Sequence, residues 1–164
     1  MILLNVMVSS HLTRLFLPGM IDRASSADDA KPGVLNVAST AAFQPGPMMA
    51  VYFATKAYVL SFSEAIAAET QEQGINVTVL CPGPTQSNFG QVANMDQMAL
   101  LGNVTTDKLP SALEVAQYGY DQFQKGNVVT VHGTINKFLS FTPRITPRKL
   151  LRNGIKKFMT PEAQ

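Results

Sequence analysis

The chain has 164 residues, 46% of them hydrophobic and 15% charged, with a formal net charge of +2. That length holds one domain with a real core and falls short of two ordinary ones. The single Cys81 excludes an internal disulfide, and together with two histidines it offers no metal-ligand cluster.

The charge is unevenly spread: residues 1–136 carry six Lys/Arg against ten Asp/Glu, and residues 137–164 carry seven against one. A basic tail on an acidic body points to an anionic surface such as lipid headgroups, and away from nucleic acid as a partner. No run approaches the roughly 20 apolar residues that a bilayer span needs. The opening "MILLNVMV" lacks a basic lead and carries Asn5, which argues against a signal peptide. The expected location is the reducing cytoplasm, with membrane association through the tail as the variant.

In chain order, Leu4, Val8, Leu12, Leu15 and Phe16 repeat at helical spacing until Pro18-Gly19 punctuates them. This helix has no capping residue or lead-in, so its first turn reads as cut into. A polar linker, "DRASSADDAKPG", leads to "VLNVAS" (34–39), an apolar run that reads as a buried strand. After a loop of Pro, Gly and Met, residues 51–73 carry the longest helical pattern, with Gly74 where a C′ residue belongs. "INVTVLCPG" (75–83) is the next strand. Residues 84–109 read as irregular or short-helical, 111–126 as an amphipathic helix, and "NVVTVHG" (127–133) as a third strand. Buried strands joined by helical crossovers predict an α/β fold: a parallel sheet of about three strands with flanking helices, Rossmann-like in layering but partial. The division expected is residues 1–133 as that domain and 134–164 as a basic helical tail.

The chemistry concentrates in "STAAFQPGPMMAVYFATK" (39–56). Tyr52 and Lys56 stand at i and i+4 near a helix start and so share a face. An ammonium beside a phenol lowers its pKa from near 10, which makes tyrosine a usable general acid/base. Ser39 falls at the carboxyl end of a strand, the edge where parallel sheets bind ligands. Its hydroxyl could hold a substrate oxygen against that of Tyr52. The set suits proton transfer at a carbonyl or alcohol oxygen, which is half of a hydride-transfer reaction. A Tyr/Lys pair alone is a weak signal; Ser39 in the right order and at the right strand end sharpens it.

These residues resemble the short-chain dehydrogenase/reductase family, whose motif is Tyr-x-x-x-Lys with an upstream serine. "NVMVSSHLTRLFLPGM" is similar to the family helix that carries an active-site asparagine, here Asn5. "LNVASTAAFQPGPMMAVYFATKAYVLSFSEAIAAE" resembles the Ser–Tyr–Lys segment, and "INVTVLCPGPTQSNF" the following strand with its Pro-Gly motif. The match runs to about residue 132. The resemblance implies an NAD- or NADP-dependent oxidoreductase acting on a small-molecule carbonyl or alcohol, in a homo-oligomer. It implies Tyr52 as general acid/base and Lys56 as its pKa-lowering neighbour and ribose ligand. Ser39 would polarise the substrate oxygen, and Asn5 would hold a water in a proton relay. Pro82, Gly83 and Thr85 would line the nicotinamide pocket.

The family's Gly-rich pyrophosphate turn after a strand has no counterpart here, nor do roughly its first hundred residues. The chain therefore reads as the C-terminal part of such a protein. The "VLNVAS" strand would then lack its inner neighbour and expose an apolar edge and face. Alone the chain is expected to be marginally stable, self-associating or partner-dependent, and a poor binder of the dinucleotide. The alternative function is a non-catalytic association module; a hydrolase using Ser39 lacks the Gly-x-Ser-x-Gly elbow. Blander roles stay open residue by residue: Asn5 on a helix flank, Ser39 as a loop cap, Pro82-Gly83, Thr85 and Asn88 as turn formers.

Two segments add expectations. Residues 89–101, with Met48 and Met49, could shape an adaptable apolar pocket mouth for a lipid-like or bulky hydrophobic alcohol or ketone, or could fill core gaps. In the tail, Thr146-Pro147 reads as an N-cap and N1 pair opening a helix with a stripe of Leu150, Leu151, Ile155, Phe158 and Met159. Across 143–159 that stripe could meet a membrane, the body, or another subunit.

Overall fold

A computed structural model describes residues 1–25, 31–87 and 108–160. Asn88, the Met-containing segment 89–101, the middle of the polar linker and the last four residues lie outside them.

Three parallel strands form one sheet: β1 (Gly33–Val37), β2 (Asn76–Cys81) and β3 (Val129–Val131), in the order β1-β2-β3. Val34 lies opposite Val77, Val37 opposite Leu80, and Cys81 opposite Val131. The strand β2 is central because its β-branched run can be covered on both faces. Ile75, Val77, Val79 and Cys81 face one way, into clusters with Ala67, Val59 and Leu60. Those partners belong to the long helix α2 (Ala50–Thr70). On the opposite face, Leu80 meets Gly119 of α3 (Ala112–Gln124) so closely that a Cβ there would sit 2.6 Å from Leu80 Cδ2. Both crossovers thus place a helix on a sheet face, which is the α/β arrangement expected.

The strand β1 is shorter than 34–39, and it shows the exposed apolar edge and face expected of it: Val37 is 54% exposed and Leu35 is also exposed. Among the described residues β1 pairs with β2 on one side and with no strand on the other. Its inward residues are Val34, which joins the Ile75/Val77 cluster, and Asn36, which donates to Ser63 Oγ on α2 at 2.9 Å.

The first helix differs from the sequence reading. A π-helical turn, Leu3–Val8, runs into α1 (Ser9–Ala24), which continues straight through Pro18. One missing N–H costs one helical bond. Packing of Leu17, Met20, Ile21 and Ala24 against Ala67, Ile75 and Val77 holds the helix together beyond the proline. The stripe read from the sequence is the outward one: Leu4, Leu12, Leu15 and Phe16 are all exposed.

Helix α2 ends in a 3₁₀ turn, Gln71–Gln73, and Gly74 takes φ +73° as its C-terminal position demands. The tail forms two helices, α4 (Thr134–Ile145) and α5 (Arg148–Met159). Thr146 does not cap α5. Its hydroxyl donates back to Thr142 O at 2.8 Å, and Pro147, extended at ψ 133°, is the residue before the helix. The inward residues of α5 are Leu151, Ile155 and Met159, and Met159 packs with Ala41 and Phe53. Much of the stripe is therefore absorbed by the body. Among the described residues no helix is long and apolar enough to cross a membrane.

Candidate active site

The sheet continues past β1 by two backbone bonds, Ala38 N–H to Leu80 O and Thr40 N–H to Pro82 O, both 2.8 Å. They carry Ser39 to the carboxyl edge of the sheet beside Pro82. Ser39 is extended and caps the 3₁₀ turn Thr40–Phe43, its Oγ accepting from Ala41 N–H at 3.1 Å and donating to Pro82 O at 3.4 Å. The loop then reverses through Met48, at φ +67°, into α2. Gly46 is obligatory in that loop, because a Cβ would lie 2.1 Å from the Phe53 ring.

Two residues into α2, Tyr52 is half-buried, with the Ser39 side chain near enough to act on its pKa. Lys56, one turn on, lies with Nζ 5.9 Å from the Tyr52 ring centre and donates to Val37 O at 2.9 Å. The sequence-derived set of Ser39, Tyr52 and Lys56 therefore meets at one end of the sheet. Asn5 reaches it indirectly. Its Nδ2 donates to Thr55 Oγ1 at 3.0 Å, and that hydroxyl donates to Tyr52 O at 2.9 Å.

The electrostatics run against one expectation. Burial raises the Tyr52 pKa above its ordinary value, and the Ser39 side chain only partly opposes this. Burial also lowers the Lys56 pKa, partly opposed by Cys81. The Lys56 ammonium lies over the Tyr52 ring while it donates to the Val37 carbonyl.

Gly83 and Thr85 have structural partners of their own. A Cβ at Gly83 would come within 2.4 Å of the Asn136 side chain on α4, so close packing alone requires glycine there. Thr85 donates to Gly83 O at 3.0 Å within its own turn. One neighbour escaped the sequence reading. Thr55 stands at i+3 from Tyr52, a spacing that allows its back-bond and was a usable signal. Met159, part of the tail stripe that could meet the body, packs beside Tyr52 and Phe53 from the far end of the chain. A cavity of about 450 Å³ lined by Phe43, Pro45, Gly46, Phe53, Ala54 and Arg148 opens on the other face of α2, away from Tyr52 and Lys56.

A sequence model described as short chain dehydrogenase matches residues 1–98. A very-long-chain 3-oxoacyl-CoA reductase of Anas platyrhynchos is 38% identical over 82 residues, which are 50% of this chain and 24% of that protein. Among solved structures, a short-chain dehydrogenase from Sphingobium yanoikuyae in complex with NADPH superposes at a TM-score of 0.68 with 19% identity, covering 99% of this chain and 57% of that one. A 3-ketoacyl-(acyl-carrier-protein) reductase from Brucella melitensis complexed with NADH superposes at 0.64 with 23% identity, covering 80% and 54%. The chain thus spans little more than half of these solved proteins, and its match spans about a quarter of the curated relative.

Proposed function

The chain belongs to the short chain dehydrogenase family, and from that premise we propose that it carries the proton-transfer half of a nicotinamide-dependent oxidoreductase interconverting a carbonyl and an alcohol. The observation that carries this reading is the convergence of Ser39, at the sheet's carboxyl edge beside Pro82, with Tyr52 and with Lys56 one helical turn on, its ammonium held by the Val37 carbonyl. Two hydroxyls converging on one point can hold a carbonyl oxygen between them, and the buried phenol keeps its proton at neutral pH for delivery to that oxygen.

The nicotinamide would supply or accept the hydride. Tyr52 and Lys56 fit the ribose end of such a cofactor: Val37 O takes one of the three N–H groups of Lys56, which leaves donor capacity. Pro82, Gly83 and Thr85 would flank the ring. None of the three strands leads into a Gly-rich turn, so the residues present fit that end of the cofactor and not its pyrophosphate. NADPH and NADH, each found with one of the related folds, are both candidates. Asn5 would act on Tyr52 through Thr55, and homo-oligomeric assembly is part of this reading. The substrate class favoured is a 3-oxoacyl thioester, by kinship with the duck reductase.

The test is reduction of 3-oxoacyl-CoA with either cofactor, followed by nicotinamide absorbance, for the wild type and Tyr52→Phe. Loss of general-acid catalysis lowers kcat by about 10²–10⁴. A Tyr52→Phe variant as fast as wild type would refute the assignment. A second reading, a non-catalytic association module, is favoured by the exposed apolar row of Leu4 on the π-helical turn and Leu12, Leu15 and Phe16 on α1. It is chosen if the wild type turns over neither cofactor but sediments as an assembly that Phe16→Glu disperses.

A further inference from the structure

Helix α4 is docked with its polar side inward. Ser140 is buried, its hydroxyl without a hydrogen-bond partner, and the half-buried Asn136 donates to His132 O at 2.9 Å. The outward side is apolar: Ile135 is 74%, Phe138 68% and Ile145 71% exposed, with Leu139 and Phe141 exposed beside them. At the helical repeat these five side chains occupy an arc of about 160°, with Lys137 and Arg144 along one margin. An amphipathic helix ordinarily buries that arc.

Helix α5 is oriented the other way, its Leu151, Ile155 and Met159 inward and Lys149, Arg152, Lys156 and Lys157 outward, with exposed Leu150 and Phe158 at the rim. Residues 134–160 hold seven Lys/Arg and no Asp/Glu. A second copy of this surface is a poor occupant, because a self-complementary interface would set seven positive charges against seven more. An anionic bilayer supplies both complements, acyl chains for the apolar arc and headgroups for the basic fringe.

We propose that α4 and α5 form an interfacial docking surface for an anionic lipid bilayer, with the outward face of α4 entering the acyl boundary and the lysines and arginines of both helices engaging headgroups. The membrane-facing element is thereby α4, and not the α5 stripe that the sequence suggested. The inference is independent of the reaction assigned above.

The chain contains no tryptophan, so Phe138→Trp installs a single depth probe, and Leu113→Trp, at an equally exposed site on α3, is its control. With phosphatidylcholine/phosphatidylglycerol vesicles, Phe138→Trp emission should shift to the blue and be quenched by brominated acyl chains. Leu113→Trp emission should stay unchanged. In co-sedimentation, Phe138→Asp should weaken binding about tenfold or more, and added salt or pure phosphatidylcholine should weaken it as well. An unmoved Phe138→Trp spectrum, an equal response from Leu113→Trp, or equal binding to pure phosphatidylcholine would overturn the proposal. So would a blue shift that follows protein concentration without vesicles, since a second copy would then be the occupant.

Discussion

Replacing Thr55 by valine isolates the link between the first helix and the residue beside the chemistry. The side chain is almost fully buried and nearly isosteric with valine, so packing is conserved and only the hydroxyl is lost. Two hydrogen bonds go with it, from Asn5 Nδ2 and to Tyr52 O. The Tyr52 carbonyl lies within α2 and keeps its helical partner, so its loss is the net value of one bond, about 1 kcal/mol. The Asn5 amide is left without an acceptor but only half-buried, so water recovers part of the usual 1–3 kcal/mol penalty. The sum is about 2 kcal/mol, or about 4–8 °C in Tm for a chain of this size. Asn5→Ala should cost less, about 1 kcal/mol, because Thr55 retains its bond to Tyr52. Urea unfolding followed by circular dichroism reads both. The double variant should be no less stable than Thr55→Val alone, because removing Asn5 removes the orphaned amide. Strict additivity, or a Thr55→Val midpoint within about 0.5 kcal/mol of wild type, would show that the Asn5–Thr55–Tyr52 connection carries no weight.

Glycine substitutions should diverge by site. Gly33→Ala places a Cβ 1.9 Å from the Asn76 carbonyl oxygen and should cost about 3 kcal/mol or more in thermal unfolding, because backbone must move. Gly154→Ala, in α5 with nothing within 4 Å, should stabilise by about 0.5–1 kcal/mol in the same assay. Burial pushes the Cys81 thiol up to about 12. An unfolded thiol ionises from about pH 9 while the native one does not, so the fold should lose roughly 1.4 kcal/mol per pH unit between about 9 and 12. Urea midpoints across that window should flatten in Cys81→Ala.

The strands were legible because β-branched runs bounded by Pro and Gly leave few other solutions, and Val77–Cys81 sits where its composition says. The Ser39, Tyr52 and Lys56 grouping was legible for a similar reason: strand end, helix start and helical repeat are local facts. What escaped was set by distant contacts. Pro18 does not stop α1 because Met20 and Ile21 have Ile75 and Val77 to pack on. Thr146-Pro147 carries the signature of a helix start, yet Thr146 spends its hydroxyl on the preceding helix. In α4, periodicity gives the apolar arc correctly and says nothing of which way it turns.

The directions of the two perturbed groups bear on which direction of the proposed reaction this environment would suit. Tyr52 moves up from its ordinary value and Lys56 moves down from its own, both chiefly through burial. At neutral pH the phenol is protonated with no opposing tendency, so in this environment it is set up to give a proton, which is the role carbonyl reduction requires. Alcohol oxidation needs the phenolate, and burial resists it. Initial rates of 3-oxoacyl-CoA reduction should accordingly be flat across neutral pH and fall only above pH 10, as Tyr52 itself ionises. Oxidation of the corresponding 3-hydroxyacyl-CoA should climb towards alkaline pH. For stability the signs follow the same rule. A raised Tyr52 withdraws stability as pH rises through its native pKa, whereas a lowered Lys56 burdens the fold at neutral pH and releases that burden as pH approaches its unfolded value. Lys56→Met, which removes the buried charge and keeps the stem, should therefore leave the neutral-pH urea midpoint unchanged or raise it while abolishing reduction. A midpoint lowered by about 1 kcal/mol or more would show that the bond to Val37 O outweighs the burial of the charge.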